Sequence, residues 1–276
     1  MLLDGKMISE EIKKRVAEEV ASLKAELTLA IILVGKDPAS EIYVNSKTKA
    51  CEKANIKTKD YFLDDNTTEK ELIDLIQNLN KDPLITSVLV QMPLPSHISE
   101  DNVVNSIDPL KDVDGLNIIN QGKLLNNTNC LVPATPRGIL TLIKRYFIEI
   151  SGKHAVVIGR SKLVGKPIAL LLLNNNATVT ICHSKTENLK EIVRKADIVV
   201  VAIGKPKFLT ADMVKKDATV IDVGINRVQG KVVGDVDFEA VKEIAGFISP
   251  VPRGVGPMTI ASLLENVIKC YHMQNK

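Results

Sequence analysis

The stretch HAVVIGRSKLVGKPIALLLL, residues 154–173, gives the clearest indication of the fold. Its first five residues are mostly apolar and β-branched, as in a buried parallel strand, and Gly159 ends that run. Residues Val164 to Leu173 are typical of an apolar helix. A strand, a tight turn and a helix N-terminus offer free backbone N–H groups and a favourable dipole to a phosphate. The stretch therefore predicts a nucleotide-binding turn.

The glycine spacing leaves a second interpretation open. The pattern G-x-G-x-x-G is not matched, because only Gly159 and, one residue late, Gly165 are present. An ordinary glycine-rich turn has the same appearance. Two later strand ends also carry glycines, Gly204 and Gly224, where a ligand crevice is expected in an α/β sheet. Turn geometry alone also explains those glycines.

The next strand indicates which dinucleotide binds. Ala177–Cys182 ends in His183, Ser184 and Lys185, where an NAD-binding domain normally presents an Asp or Glu to the ribose. A carboxylate repels a 2′-phosphate, whereas a hydroxyl and nearby cations hold it, and Arg160 can add a bidentate contact. We therefore expect NADP rather than NAD.

Strand-like runs alternate with helical patterns along the chain, so the predicted class is α/β with repeated βαβ units. No strand-like run stands between Val90 and His154, and we place the domain junction there. The predicted strands are Leu29–Val34, Ser87–Val90, His154–Ile158, Ala177–Ile181, Asp197–Val201 and Ala218–Asp222. The predicted helices include an apolar stripe from Ile8 to Leu27, then Asp37–Ala54, Thr68–Leu79, Val164–Leu173 and Asn188–Lys195.

Length and composition indicate a globular protein of one large or two ordinary domains. The chain has 276 residues, 45% of them apolar, no tryptophan and a net charge of +3, which does not suggest a nucleic-acid partner. Neither a membrane span nor a signal peptide is recognised, so the cytosol is the expected location. The four cysteines are far apart and suggest neither zinc nor disulfides. We predict no metal site.

Lys47 is the main candidate for catalysis. On the predicted helix Asp37–Ala54, Tyr43, Lys47 and Cys51 are spaced four residues apart, so Lys47 is a cation on an otherwise apolar face. Desolvation lowers a lysine pKa and permits proton exchange near neutral pH. The alternative, a lysine whose amine reaches solvent along a semi-buried helix, fits the pattern equally well.

Two further segments place polar groups near strand ends. Gln91 directly follows the predicted strand Ser87–Val90 and is backed by a Pro-Leu-Pro turn. The segment Asp108–Gly115 carries Asp112 and Asp114, which fit either a charged turn or a cation site. Further oxygen ligands at fixed spacing are missing, so no metal is assigned there.

Together these segments resemble the bifunctional methylenetetrahydrofolate dehydrogenase/cyclohydrolase family over essentially the whole chain. Eight motifs agree in order and spacing. They are Asp4-Gly5-Lys6, Tyr43-x-x-x-Lys47, Gln91-x-Pro-Leu-Pro95, Lys111-Asp-Val-Asp114-Gly115, Thr135-Pro-x-Gly138, Gly159-Arg-Ser-x-x-Val-Gly-x-Pro167, His183-Ser184 and Pro250-Val-Pro-x-Gly-Val-Gly-Pro-Met-Thr259.

The resemblance implies two α/β domains with a folate cleft between them. One is a catalytic, folate-binding domain over residues 1–137, with a C-terminal helix, 256–276, packing back on it. The other is a Rossmann-type NADP-binding domain over residues 138–255. It also implies a cytoplasmic homodimer in one-carbon metabolism, and thereby in purine and amino-acid biosynthesis.

The implied activity is oxidation of 5,10-methylenetetrahydrofolate by NADP and hydrolysis of the methenyl product to 10-formyltetrahydrofolate. Lys47 matches the acid/base residue of the hydrolysis, and Gln91 the residue that positions it. Tyr43 matches a residue that packs against the pterin, and Asp114 one that hydrogen-bonds it. The positions matching NADP contacts are Gly159, Arg160, Ser161, Ser184 and Ile225.

Two other functions fit the same sequence, and one position departs from the family. A dehydrogenase without hydrolase activity is the first alternative, and retention of Lys47 and Gln91 argues against it. A non-catalytic nucleotide-binding protein of the same fold is the second. Arg253 stands where the family commonly has glycine, which leaves open whether it binds the glutamate tail of the folate.

Overall fold

The structure, a computed structural model, describes residues 1–275, apart from the side chain of Ala39. These residues form two compact units. Residues 11–134 and 260 onward make up the three-stranded unit, and residues 1–10 and 135–259 make up the five-stranded unit. The domain bounds expected from the sequence, 1–137 and 138–255, stay a proposal. Within the described range no helix is long and apolar enough to cross a membrane.

The sheet of the three-stranded unit is parallel, in the order β2-β1-β3. Central β1 is apolar and buried at six of its seven positions, whereas β2, at the edge, alternates between exposed and partly buried residues. Residues 1–134 contain α1 (Gly5–Ser22), β1 (Thr28–Val34), α2 (Pro38–Lys53), β2 (Lys57–Leu63), α3 (Glu69–Lys81), β3 (Ser87–Val90), α4 (Glu100–Ser106) and α5 (Ile118–Leu125).

The sheet of the five-stranded unit is also parallel, in the order β10-β7-β6-β4-β5, with an added antiparallel hairpin, β8-β9. From residue 134 onward the elements are α6 (Ala134–Arg145), β4 (His154–Ile158), α7 (Gly165–Asn174), β5 (Thr178–Cys182), α8 (Leu189–Val193), β6 (Ile198–Val201), a 3₁₀ turn (Ala211–Met213), β7 (Thr219–Asp222), β8 (Asn226–Val228), β9 (Lys231–Val233), α9 (Phe238–Val241), β10 (Phe247–Ile248) and α10 (Val255–Gln274).

The strand order creates a crevice beside β4. The chain runs from β4 through α7 to β5 on one side, and β6 then pairs with β4 on the other side. At such a switch point the connections leave the sheet in opposite directions, so ligands bind beyond the carboxyl ends of the strands. The turn after β4, residues 159–164, lies at this position.

The six predicted strands are confirmed within about two residues, as are the predicted helices α2, α3, α7 and α8. Asp37 caps α2 by accepting from the backbone N of Ser40 at 2.9 Å. The prediction for α1 was too long, because α1 ends at Ser22. Leu27 is fully buried just before β1, so it matched the helical period although it lies outside the helix.

Candidate active site and nucleotide site

Helix α2 of the three-stranded unit positions Lys47. Its inner face is closed by Cys51 and Ala54, both fully buried, while Lys49 points outward and is exposed. Burial raises the pKa of the Cys51 thiol to about 12, so this side chain stays neutral beside the lysine. Although part of the Lys47 side chain is accessible, its amine therefore lies against apolar surroundings.

Gln91 holds the amine of Lys47. Lys47 Nζ donates to Gln91 Oε1 at 3.0 Å, and Gln91 Nε2 donates to the Met92 carbonyl at 2.7 Å. The backbone N of Gln91 donates to the Ile32 carbonyl, which continues the β1–β3 ladder to this residue. Because the Met92 carbonyl holds the amide nitrogen of Gln91, the amide oxygen faces the lysine.

Asp114 is the charged group with the largest effect on the pKa of Lys47. Burial lowers the pKa of Lys47, and the charge of Asp114 opposes that shift. Burial likewise raises the pKa of Asp114, and the charge of Lys47 opposes it. Both shifts favour the neutral forms and bring the two pKa values closer together. The arrangement suits a lysine that gives and takes a proton.

Asn266 and Gly115 fix the backbone around Asp114. Asn266, from α10, donates to the carbonyls of Val113 and Val132, each at 2.8 Å. Gly115 has φ of +65°, and a side chain there would press against the Leu131 carbonyl. Asp114 is therefore held in a turn that only glycine completes without strain.

The other charged residues of the Lys111-Asp-Val-Asp114 motif are structural. Lys111 is buried and donates to the carbonyls of Leu79 and Asp82 at the end of α3, at 3.1 and 2.8 Å. Asp112 is also buried and accepts from the backbone N of Asn117 and from Asn120 Nδ2 at 2.8 and 2.9 Å. Sequence reasoning missed this network, since nothing in the pattern relates residue 112 to residues 117 and 120.

Tyr43 lies one turn before Lys47 on α2 and is 43% exposed. An aromatic ring in this position offers a partly accessible apolar face next to the lysine. Tyr43, Lys47, Gln91 and Asp114 all belong to the three-stranded unit.

The turn after β4 packs tightly against neighbouring backbone. Gly159 has φ of +128°, and a side chain there would collide with the Ala202 carbonyl. A side chain at Gly165 would collide with the Gly159 carbonyl. Ser161 Oγ accepts from the backbone N of Val164 and of Gly165 at 3.2 and 3.3 Å, which fixes the start of α7. A turn that has a glycine at each end and leads into a helix N-terminus fits a dinucleotide pyrophosphate.

The end of β5 fits a 2′-phosphate better than a free ribose. Ser184 and Arg160 are both exposed, and Lys185 follows Ser184. His183 Nδ1 accepts from the backbone N of Lys185 at 3.2 Å, and the His183 backbone N donates to Thr186 Oγ1 at 2.8 Å. His183 therefore closes the turn that presents Ser184.

Ile225 lines a pocket of about 230 Å³ within the five-stranded unit. The side chain is 51% exposed. Also lining it are residues 250–256, which comprise the loop with Arg253 and the first two residues of α10, and Val232 of β9. The surface that lines the pocket is mostly apolar, which suits a flat aromatic ring.

Two buried carboxylates, which sequence reasoning missed, hold the loops of the five-stranded unit near this pocket. Asp235 accepts from the backbone N of Ile203 and Gly204 at 2.8 and 2.9 Å and from Asn226 Nδ2 at 2.9 Å. Asp222 ends β7, and burial raises its pKa to about 6. The backbone N–H groups donating to Asp222 at 2.9–3.0 Å are those of Gly224, Asp235 and Val236. The sequence signal that could have identified Asp222 is a carboxylate at the end of the buried, apolar strand β7.

Comparison with known proteins gives one consistent relationship. The model for the tetrahydrofolate dehydrogenase/cyclohydrolase catalytic domain matches residues 3–114, and the model for the NAD(P)-binding domain of the same enzymes matches residues 133–275. The bifunctional protein FolD of Campylobacter hominis is 57% identical over 272 residues, which is 97% of this chain and 96% of that one.

Solved structures agree with this relationship. The bifunctional enzyme FolD of Campylobacter jejuni has a TM-score of 0.97 at 49% identity, covering 99% of each chain. The Trypanosoma brucei enzyme, solved with NADP cofactor and inhibitor, has a TM-score of 0.95 at 36% identity, covering 100% of this chain and 98% of that one.

Proposed function

Because the chain belongs to the tetrahydrofolate dehydrogenase/cyclohydrolase family, we propose that it oxidises 5,10-methylenetetrahydrofolate with NADP and hydrolyses the product to 10-formyltetrahydrofolate. The observation that carries the bifunctional assignment is the 3.0 Å hydrogen bond between Lys47 and Gln91. Hydride transfer alone does not require an amine that is desolvated and held in position. The chain is therefore an enzyme of one-carbon metabolism, and we propose that its products supply purine and amino-acid biosynthesis.

Lys47 is the acid/base residue of the hydrolysis. Burial favours its neutral amine, and a methenyl cation nearby favours that form further, since like charges repel. The amine takes one proton from the water that attacks the methenyl carbon. A proton then reaches N5 of the folate as its bond to that carbon breaks, and the second water proton leaves to solvent. Gln91 accepts an N–H of Lys47 and so directs the nitrogen lone pair.

Tyr43 and Asp114 bind the pterin. The partly exposed Tyr43 ring provides a stacking surface one turn from Lys47. Asp114, with its pKa raised by burial, is suited to hydrogen-bond ring nitrogens in either protonation state. Together they place the one-carbon unit beside the amine.

NADP supplies the hydride acceptor for the oxidation. Gly159 and Ser161 hold the pyrophosphate at the start of α7, and Arg160 with Ser184 selects the 2′-phosphate. The pocket at Ile225 holds the nicotinamide and excludes water from it. This reaction depends on position rather than on strong acid/base assistance.

Assembly and location complete the proposal. We propose a homodimer in the cytosol, as the family resemblance implies, acting on a small tetrahydrofolate substrate with no nucleic-acid or membrane partner. Sedimentation velocity of the purified chain tests the assembly, since a single species of monomer mass contradicts a dimer.

One experiment separates the two activities. Purified protein is mixed with 5,10-methylenetetrahydrofolate and NADP, and NADPH and methenyl absorbance are followed together. We expect NADPH to form while the methenyl signal decays faster than in enzyme-free buffer. If the methenyl form accumulates and decays only at the spontaneous rate, the protein is a dehydrogenase alone. If no NADPH forms, the substrate assignment is wrong.

A further inference from the structure

Arg253 has a backbone conformation that ordinarily favours glycine. It lies in the loop 250–256, and its φ is +85°. Residues with a Cβ rarely adopt this conformation, and they keep it only where surrounding contacts determine it. The contacts that hold Arg253 therefore decide where this loop lies.

Those contacts come from the first residues of the chain. Arg253 Nη2 forms an ion pair with Asp4 Oδ2 at 2.7 Å, and the Arg253 carbonyl accepts from the backbone N of Lys6 at 2.9 Å. A side chain at Gly5 would collide with the Gly254 carbonyl, so the two backbones touch directly. The side chains of Arg253 and Asp4 are 62% and 33% exposed.

Asp4 has two separate tasks, one for each carboxylate oxygen. Its Oδ1 accepts from the backbone N of Met7 at 3.2 Å, at the start of α1, and its Oδ2 receives Arg253. The N–H of Met7 and then the guanidinium hold the pKa of Asp4 below its usual value, so the pair is charged at neutral pH. A substitution that keeps one acceptor oxygen can therefore separate the two tasks.

We propose that Asp4 and Arg253 are positioning residues, whose ion pair holds the loop 250–256 as the wall of the nicotinamide pocket. This inference rests on the proposed function, because it takes the pocket at Ile225 to receive NADP. In this proposal Arg253 acts through the loop backbone, with Nη2 of its guanidinium engaged by Asp4.

The test uses the full-length chain with Asp4→Asn, Arg253→Gly and the double variant. Asp4→Asn keeps an oxygen for Met7 and removes the charge. Arg253→Gly removes the pair and relieves the positive φ, so it serves as the variant that folds without the pair. NADPH binding is measured by fluorescence titration without substrate, and hydrogen–deuterium exchange is followed at residues 250–257.

Asp4→Asn is expected to weaken NADPH binding about two- to fivefold, the coupling of a partly exposed ion pair, and to speed exchange at 250–257. It should also raise the KM for NADP without changing methenyl hydrolysis, which uses no NADP. In the Arg253→Gly background the same Asp4→Asn change should have no further effect on any of these quantities.

Three results overturn the inference. An equal loss from Asp4→Asn in both backgrounds shows that the Asp4 charge acts independently of Arg253. Tighter folate binding in Asp4→Asn assigns the released Arg253 to the substrate. Unchanged binding and exchange in Asp4→Asn leave the pair without a positioning role. A wild-type chain that binds no NADPH contradicts the proposed function instead, while exchange in the ligand-free protein still tests whether the pair holds the loop.

Discussion

Lys47 is subject to two opposing effects. Its apolar neighbours on α2 disfavour the ammonium, while the Asp114 charge favours it. The hydrogen bond to Gln91 adds direction without adding charge. A neutral amide at this position therefore orients the amine and leaves the lowered pKa in place, which a carboxylate could not do.

Replacing Gln91 with glutamate should raise the pKa of Lys47. A carboxylate within hydrogen-bond distance favours the ammonium, typically by about one to three pKa units. In the proposed mechanism the neutral amine is the active form, so hydrolysis is expected to rise with pH through the pKa of Lys47. The ascending limb of the hydrolysis rate should therefore shift to higher pH in Gln91→Glu, and the rate at neutral pH should fall. Rates are measured across pH, with spontaneous hydrolysis subtracted.

Gln91→Asn is the matched control for that experiment. It shortens the side chain and adds no charge, so the rate should fall while the midpoint of the limb stays near that of the wild type. An unshifted midpoint in Gln91→Glu would show that the amine of Lys47 does not set the pH dependence.

At the scale of single residues, the sequence predicted contacts along one helix face better than contacts between segments. The spacing of Tyr43, Lys47 and Cys51 was sufficient to place a lysine on an apolar face. Its partner Gln91 was recognised by its position after a strand and by family resemblance. The Asp222–Asp235 network was missed, because backbone N–H groups of loops recognise these acids and no side-chain pattern records that.

At the scale of elements, α3 depends on a side chain from a distant segment. Its N-terminus is closed by a capping box, Thr68 with Glu71, and its C-terminus by the buried Lys111. A cation at a helix C-terminus satisfies free carbonyls and complements the dipole. The lysine of the Lys111-Asp-Val-Asp114 motif thus links α3 to the turn that carries Asp114.

Lys111→Met should destabilise the protein by about 1–3 kcal/mol, because it leaves the carbonyls of Leu79 and Asp82 buried without this donor. The midpoint of urea unfolding measures the change. Lys70→Met, on the exposed side of the same helix, removes only a surface ion pair with Asp74 and should cost under about 0.5 kcal/mol. Equal effects of the two substitutions contradict the capping role.

The strands β2, β8 and β9, which were missed, share a physical cause. β2 is polar and half-exposed at the sheet edge, and the hairpin β8-β9 consists of two three-residue strands. Sequence patterns identify strands by burial, and these elements have little of it. The buried strands β1, β3, β4, β6 and β7 were predicted because neighbours cover both of their faces.

At the scale of the whole molecule, binding NADP should stabilise the folded protein. A ligand that binds only the folded state raises the free energy of unfolding with its concentration relative to Kd. Arg160→Ala should weaken NADP by about tenfold or more, the loss of a charged hydrogen bond, and leave NAD nearly unaffected. Thermal shifts with each dinucleotide measure this.

The exposed Arg194, elsewhere in the five-stranded unit, provides the control for that comparison. Arg194→Ala should leave both thermal shifts as in the wild type. If Arg160→Ala lowers the NAD and NADP shifts equally, Arg160 binds the shared pyrophosphate and does not select the 2′-phosphate.

We propose that one chain carries two separable reactions, with the acid/base lysine in the three-stranded unit and the dinucleotide turn in the five-stranded unit. Lys47→Met keeps the length and apolar stem of the side chain and removes the amine. The decisive measurement compares the rates of methenyl hydrolysis and of NADPH formation in Lys47→Met with those in Lys49→Met, an exposed control on the same helix. We expect Lys47→Met to reduce catalysed hydrolysis at least ~100-fold while NADP binding and NADPH formation are retained. Near-normal hydrolysis in Lys47→Met would contradict it.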